Sequence, residues 1–401
     1  MRRTMIDPRR IERLQEVFDA AYGSSDAPRV LAVAPARSEI AGNHTDHEGG
    51  EVIAGTLDRA IVGVAAANGL DVIRVTSAGF DPVEVSLDSL EPRADERVTT
   101  AGIVRGMAAC MAATGREPAG FDIVMDSDIP AGGGLSSSAA LELALGRAME
   151  LLWEGREVGA VELARMGQAA ENRYFGKPCG LMDQLSIAVG GLANLDFADE
   201  GEPGCRSLAF DFADHGYALC LVEVGCDHAA FTDEYAAVPQ EMQAVAAAFG
   251  EARLDEVGAD DFDAAAPALR ERLGDRAVLR ALHYWREDSL VAARWEALTD
   301  GDMDRFLELT RESGASSAMF LQNVSAPGAY QPAMVALALA ERLLAGRGAC
   351  RIHGGGFGGS IQAFVPLDAV DGFRSAMDGW LGDGACQVYG ISEEGARASW
   401  L

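Results

Sequence analysis

A single lysine, Lys177, stands among arginines that supply every other basic side chain of this 401-residue sequence. That scarcity excludes two nucleotide-binding designs. The Walker A loop and the protein-kinase fold each need a phosphate-binding lysine in a set context. Lys177 sits in Gly-Lys-Pro-Cys, which is neither. Cysteine is sparse and scattered: Cys110, Cys179, Cys205, Cys220, Cys226, Cys350 and Cys386 form no C-x-x-C pair and are odd in number. The pattern argues against a disulfide framework or a zinc ribbon and for a reducing cytoplasm. Basic residues number 33 against 62 acidic ones, a net charge of −29, which argues against nucleic acid and anionic membranes as partners. No apolar run approaches a membrane span, and the basic N-terminus lacks the apolar core of a secretory signal. Repeats and low-complexity tracts are absent. What remains is a globular chain, 49% hydrophobic, with room for two domains.

Short apolar or alternating runs at 30–34, 60–67, 72–77 and 84–87 predict strands of a mixed sheet. Helical patterns cover 11–18, 99–113, 137–153 and 161–175, with a strand at 121–125 and a compact loop and short helix at 180–191 running into a strand. An acidic Gly/Pro turn at 198–204 is a natural neighbourhood for a domain boundary. Beyond it come a strand at 217–224 and a helical middle over 234–345. The tail alternates strand and helix, which predicts an α+β unit with an open antiparallel sheet.

Residues 130–145, Pro-Ala-Gly-Gly-Gly-Leu-Ser-Ser-Ser-Ala-Ala-Leu-Glu-Leu-Ala-Leu, follow a strand and open a helix. Glycines expose consecutive N–H groups, and the helix start adds unpaired N–H groups and the positive end of its dipole. This is an anion cradle suited to nucleotide phosphates, although serine also serves as an ordinary helix cap. A second polar cluster, Arg37, Glu39, Asn43, His44, Asp46 and His47, follows the first strand. Its mixed donors and acceptors suit a polyhydroxylated ligand. His-x-Asp-His also offers three metal ligands, and a solvated polar loop is the plainest alternative. In Cys179-Gly-Leu-Met-Asp-Gln, Asp183 is costly to bury unless paired or used, and Arg37 is a candidate partner. Such a pair can deprotonate a hydroxyl and offset charge on a transferred phosphoryl group, whereas a cap of its own short helix is the other reading. Gly354, Gly356 and Gly359 match G-x-G-x-x-G, but a strand pattern follows where a dinucleotide fold needs a helix. A glycine turn between two strands near the site fits better.

In this order the segments resemble the GHMP small-molecule kinases, and within them the galactokinases. Pro130-Ala-Gly-Gly-Gly-Leu-Ser-Ser-Ser-Ala-Ala resembles that superfamily's phosphate loop, and Ala34-Pro-Ala-Arg…Asn43-His-Thr-Asp-His-Glu-Gly-Gly the galactokinase signature. Cys179-Gly-Leu-Met-Asp-Gln is similar to the catalytic-aspartate segment, and Gly354-Gly-Gly-Phe-Gly-Gly to the C-terminal glycine motif. The resemblance implies a GHMP kinase fold: a ribosomal protein S5 domain 2-like N-terminal domain, here 1–200, and a ferredoxin-like C-terminal domain, here 201–401. It also implies ATP-dependent phosphorylation of the anomeric hydroxyl of galactose in the cytoplasm, by a monomer or weak dimer whose partners are the sugar and ATP. Gly132, Gly133, Gly134, Leu135, Ser136, Ser137 and Ser138 would wrap the ATP phosphates, with Ser77 at the adenosine. Ser138 and Glu171 would hold Mg²⁺. Asp183 would be the base or orienter and Arg37 its transition-state partner, while Asn43, His44, Thr45, Asp46 and Tyr235 would contact the sugar.

The sequence departs from the family on the sugar side. Galactokinases typically carry glutamate where Asn43 stands and Asp-Tyr where Asp46-His47 stands, and Ala-Pro-Gly-Arg appears here as Ala-Pro-Ala-Arg. An amide still bonds a hydroxyl but without the strength of a charge-assisted carboxylate. A GHMP kinase for another sugar or sugar derivative, and a non-catalytic sugar and ATP sensor, are the competing expectations.

Overall fold

In the computed structural model, residues 6–24, 26–130, 134–199, 201–225, 232–325, 328, 330–357 and 359–401 are described. A large mixed sheet runs β12–β1–β2–β5–β3–β4, with β6 also paired to β2 and β7 to β6. Its core is the pair β1 (Arg29–Ala41) and β2 (Glu51–Ala67), antiparallel over most of their length. Both strands are longer than the apolar runs suggest. They are buried on both faces, so their sequences read as near-continuous apolar residues and not as alternation. β3 (Val72–Ser77) lies parallel to β5 (Phe121–Ser127), while β4 (Val83–Ser86) turns back antiparallel at the edge. β6 (Leu192–Asp196) and β7 (Gly204–Leu208) form a hairpin across the acidic turn. β12 (Arg397–Trp400) brings the end of the chain back beside β1.

Helix α1 (Pro8–Tyr22) covers one face of this sheet, burying Leu14 and Phe18 against Val33, Val62, Val64 and Val124. Each such side chain contributes roughly 1.5–3 kcal/mol of transfer free energy. Helices α2 (Thr100–Ala112), α3 (Ser137–Leu152), α4 (Ala160–Ala169) and α5 (Met182–Val189) fill the other, where Leu143, Met107, Leu163 and Leu185 are buried. The predicted helix over 161–175 is regular only to Ala169. One wider π turn, Ala170–Phe175, continues it and swings Glu171 inward.

The second sheet has the order β11–β8–β10–β9, every pair antiparallel. Its strands are β8 (Tyr217–Glu223), β9 (Ala349–Ile352), β10 (Ser360–Pro366) and β11 (Cys386–Tyr389). With α10 (Pro332–Leu344) before β9 and α11 (Val370–Leu381) between β10 and β11, the strand–helix order is β-α-β-β-α-β, as the ferredoxin-like expectation requires. A helical excursion separates β8 from α10: α6 (Thr232–Ala247), α7 (Ala259–Leu273), α8 (Asp275–Asp300) and α9 (Met303–Ser316).

A fully buried charge cluster ties these layers together. Arg351 on β9 donates to Glu39 of β1 at 2.6 Å and lies 3.9 Å from Glu287 of α8. Arg294 donates to the carbonyl of Ile40 at 2.6 Å, and Ser313 to Glu287 at 2.7 Å. Two carboxylates thus face two guanidinium groups in a space closed to water. Burial drives Arg294 down to about 9 and pushes Glu39 above the usual carboxylate range, although Arg351 opposes the latter shift.

Candidate active site

The site forms where β1 leaves its regular ladder. Pro35 has no N–H to donate, and the register with β2 shifts between Pro35 and Arg37. The Arg37 N–H turns instead to the carbonyl of Leu135 at 3.3 Å. Its guanidinium reaches the Gly134 carbonyl at 2.6 Å and the Asp183 carboxylate at 2.7–2.8 Å. Ser136 donates to the second oxygen of Asp183. Arg37 and Asp183, 146 positions apart, therefore form one unit with the glycine–serine loop. Asp183 sits in the first turn of α5 but does not cap it; one carboxylate oxygen takes the Arg37 guanidinium of β1 and the other the Ser136 hydroxyl of the loop.

Ser136 precedes α3 in a left-handed conformation (φ 57°), a strained state for a serine, and makes no side-chain cap. The first-turn N–H groups of α3 are left for a ligand. Leu135 buries its side chain in the core, and Ser137 is exposed at the helix start. Gly132 and Gly133 lie outside the described residues. Gly134 faces His353, whose ring accepts or donates to Ser38 at 3.0 Å and Ser360 at 2.9 Å. Burial, with Arg37 and Arg351 nearby, drives His353 down to about 3. Ser77 ends β3 beside Met125 of β5, the strand that leads into the loop.

Ser138 donates to Glu171 at 3.3 Å, and Lys177 lies 3.7 Å from the same oxygen. Gln184 bridges Glu171 and Glu142 at 3.0 Å each. Glu142 is fully buried, and among the described residues nothing hydrogen bonds to its second oxygen. Burial first, then the charge of Glu171, pushes its carboxyl well above the usual range. Glu142 interrupts an apolar helix stripe, a signal by which the sequence could have announced it. Among the described residues no group of three or more His, Cys, Asp or Glu could hold a metal by itself. Ser138 and Glu171 are nonetheless hard oxygen donors side by side at the loop, which fits Mg²⁺ completed by phosphate and water.

The polar cluster after β1 divides in two. Asn43 donates to the Gly354 carbonyl and accepts from Asn323 at 2.6 Å and Ser317 at 3.3 Å. Thr45 donates to the carbonyls of Gly42 and Glu51. His44 spends both ring nitrogens, on Gly355 and on His47. These three side chains bind the protein to itself. Asp46 is half-buried, with the backbone of Gly180 so close that a Cβ there would lie 3.0 Å from its carboxylate. Burial and then Asp183 push its carboxyl up, while His47 pulls it down. Tyr235 tilts over the His44 ring at 5.5 Å between centroids and packs on Gly355. Desolvation and the nearby charges of Asp46 and Asp183 push its hydroxyl up to about 12. Around Gly225-Cys-Asp-His the sequence also keeps the family pattern poorly, and Cys226, Asp227 and His228 lie outside the described residues.

Comparison with known proteins places this geometry. Residues 102–191 match the model of the GHMP kinases N terminal domain, and residues 16–67 the galactokinase galactose-binding signature. The chain is 32% identical over 367 residues to a galactokinase of Streptomyces coelicolor, covering 90% of this chain and 91% of that one. The structure of Lactococcus lactis galactokinase complexed with galactose superposes with a TM-score of 0.81 at 24% identity, over 98% of this chain and 100% of that one. Methanococcus jannaschii mevalonate kinase shares the fold with a TM-score of 0.64 at 14% identity, over 91% and 98% of the two chains.

Proposed function

From the premise that this chain belongs to the galactokinase family, we propose how its cleft works. The protein phosphorylates galactose with ATP, giving galactose 1-phosphate and ADP. The observation that carries the reading is the Arg37–Asp183–Ser136 unit, which joins the phosphate loop directly to the polar cluster. Asp183 orients the anomeric hydroxyl and takes its proton as the new O–P bond forms. Arg37 stays paired with it and offsets charge on the transferred phosphoryl group. Asp46, near the Tyr235 ring that tilts over His44, accepts from the sugar hydroxyls. The N–H groups at the start of α3, together with Gly134 to Ser138, hold the phosphates. Ser77 lies toward the adenosine. Ser138 and Glu171 would hold Mg²⁺, which when bound neutralises phosphate charge. Asn43, His44 and Thr45 serve the sugar indirectly, by fixing the loop that presents Asp46.

A domain division near residue 200 separates the phosphate loop and aspartate segment from the glycine motif along the chain, with β7 and β12 beyond it returning to the first sheet. The cytoplasm is supported by six free cysteines among the described residues. A monomer or weak dimer is supported by the net charge of −29, which opposes self-association. The test is an ADP-release assay over a panel of sugars with ATP and Mg²⁺. Turnover with galactose supports the reading. Turnover with another sugar alone favours a different GHMP kinase, and binding without turnover favours a sensor.

A further inference from the structure

Four imidazole nitrogens and one buried carboxyl form a chain that the chemistry above leaves unused. His44 Nε2 lies 3.0 Å from the Gly355 carbonyl, His44 Nδ1 3.0 Å from His47 Nε2, and His47 Nδ1 3.2 Å from Glu48 Oε1. The other oxygen of Glu48 accepts from the Leu254 N–H at 3.1 Å. Each ring uses both nitrogens, so turning either ring over would put carbon where a partner waits. A carbonyl can only accept; His44 Nε2 therefore carries hydrogen. Burial, and next the neighbouring His47, drives His44 down to about 3, so its ring is neutral and Nδ1 is bare. A bare Nδ1 requires a donor, and His47 Nε2 is the one in place. With that hydrogen fixed, His47 Nδ1 and Glu48 Oε1 are two acceptors facing each other unless a further proton lies between them. Glu48 is fully buried, and among the described residues His47 is the one basic side chain within ion-pair distance of it.

We propose that the His47–Glu48 pair holds this extra proton and positions the acceptor loop, fixing His44 in its Nε2–H tautomer and, through His44, the 354–356 turn and the Tyr235 ring that tilts over His44. His47 is a positioning residue: it reaches the sugar through His44 and Asp46. The tautomer stands on the hydrogen-bond geometry together with the burial of His44; its consequence for sugar binding rests on the galactokinase reading.

The test uses the full chain with histidine labelled at the ring nitrogens, together with His47→Phe and His47→Gln. Glutamine places an amide donor where Nε2 stood, whereas phenylalanine keeps bulk and offers none. Expected in the parent is a His44 spectrum with Nε2 protonated and Nδ1 bare, altered in His47→Phe and restored in His47→Gln. In parallel, KM for galactose rises about tenfold in His47→Phe, the scale of one lost hydrogen bond, while KM for ATP stays within about twofold. His47→Gln keeps galactose KM within about threefold of the parent. A proton on His44 Nδ1, equal losses in the two variants, or an ATP KM that moves with the sugar KM would overturn the proposal. If His47→Phe does not fold, the parent spectrum and His47→Gln still decide it. If the parent turns over no galactose, the kinase reading fails and the tautomer measurement stands apart from it.

Discussion

Asp183 divides its carboxylate between a guanidinium and a hydroxyl, so replacing it with asparagine keeps the volume and removes the charge that Arg37 needs. Asp183→Asn is expected to lower kcat by about 10²–10⁴, the range of a lost general base, with ATP affinity nearly unchanged. Steady-state kinetics and nucleotide titration check both halves, and an unaltered kcat removes Asp183 from its role. The buried histidines give a pH signature. His44 and His353 fall to about 3 in the fold, against an unfolded value near 6.5. The unfolded chain therefore binds more protons below pH about 6.5, so their stabilisation is complete above that pH and is lost as pH falls toward about 3. Each contributes about 1.4 kcal/mol per pH unit in that window. Glu142, raised by burial, has the opposite slope, so the comparison is between parent and variant. His353→Asn is expected to flatten the slope between pH 5 and 6.5 by about one proton, read from urea midpoints at several pH values.

Elements place these residues through local irregularities. The register shift after Pro35 aims Arg37 at the loop, the left-handed Ser136 leaves the start of α3 uncapped, and the π turn after α4 swings in Glu171. Ser138→Ala removes one oxygen donor at that helix start. The Mg²⁺ concentration for half-maximal rate is expected to rise about tenfold, and an unshifted Mg²⁺ titration counts against the assignment. The glycine turn between β9 and β10 is the second such place. A Cβ on Gly355 would run into the Tyr235 ring. Gly355→Ala is expected to displace that ring and raise galactose KM several-fold, about 1 kcal/mol or more, with ATP KM kept. Equal changes in both constants would show that the turn serves the whole fold instead.

Across the whole molecule, the buried cluster of Glu39, Glu287, Arg294 and Arg351 joins β1, α8 and β9 behind the site. Arg351→Ala leaves Glu39 charged and unpaired in a space without water, at a cost of about 3–5 kcal/mol. Its thermal midpoint is expected to drop sharply, and Glu39→Gln with Arg351→Met to recover part of the loss, because removing both charges removes the desolvation cost as well. Much was legible beforehand. Element order, the lysine-free anion cradle and the Arg37 and Asp183 candidates follow from periodicity and from glycine, serine and lone charges in apolar segments, which are local properties of the chain. The full lengths of β1 and β2 were not legible, since burial on both faces erases alternation. Nor was the fate of Asn43, His44 and Thr45, three polar side chains that spacing offers to a ligand and packing turns inward. By itself the sequence determined which segments form strands and helices and that a glycine–serine loop suited to an anion stands between a strand and a helix. Only the tertiary structure decided which polar groups turn inward and which join the Asp183 unit, because each hydrogen-bond partner arrives from a segment distant in sequence: Gly355 for His44, Asn323 for Asn43, Ser136 and Arg37 for Asp183.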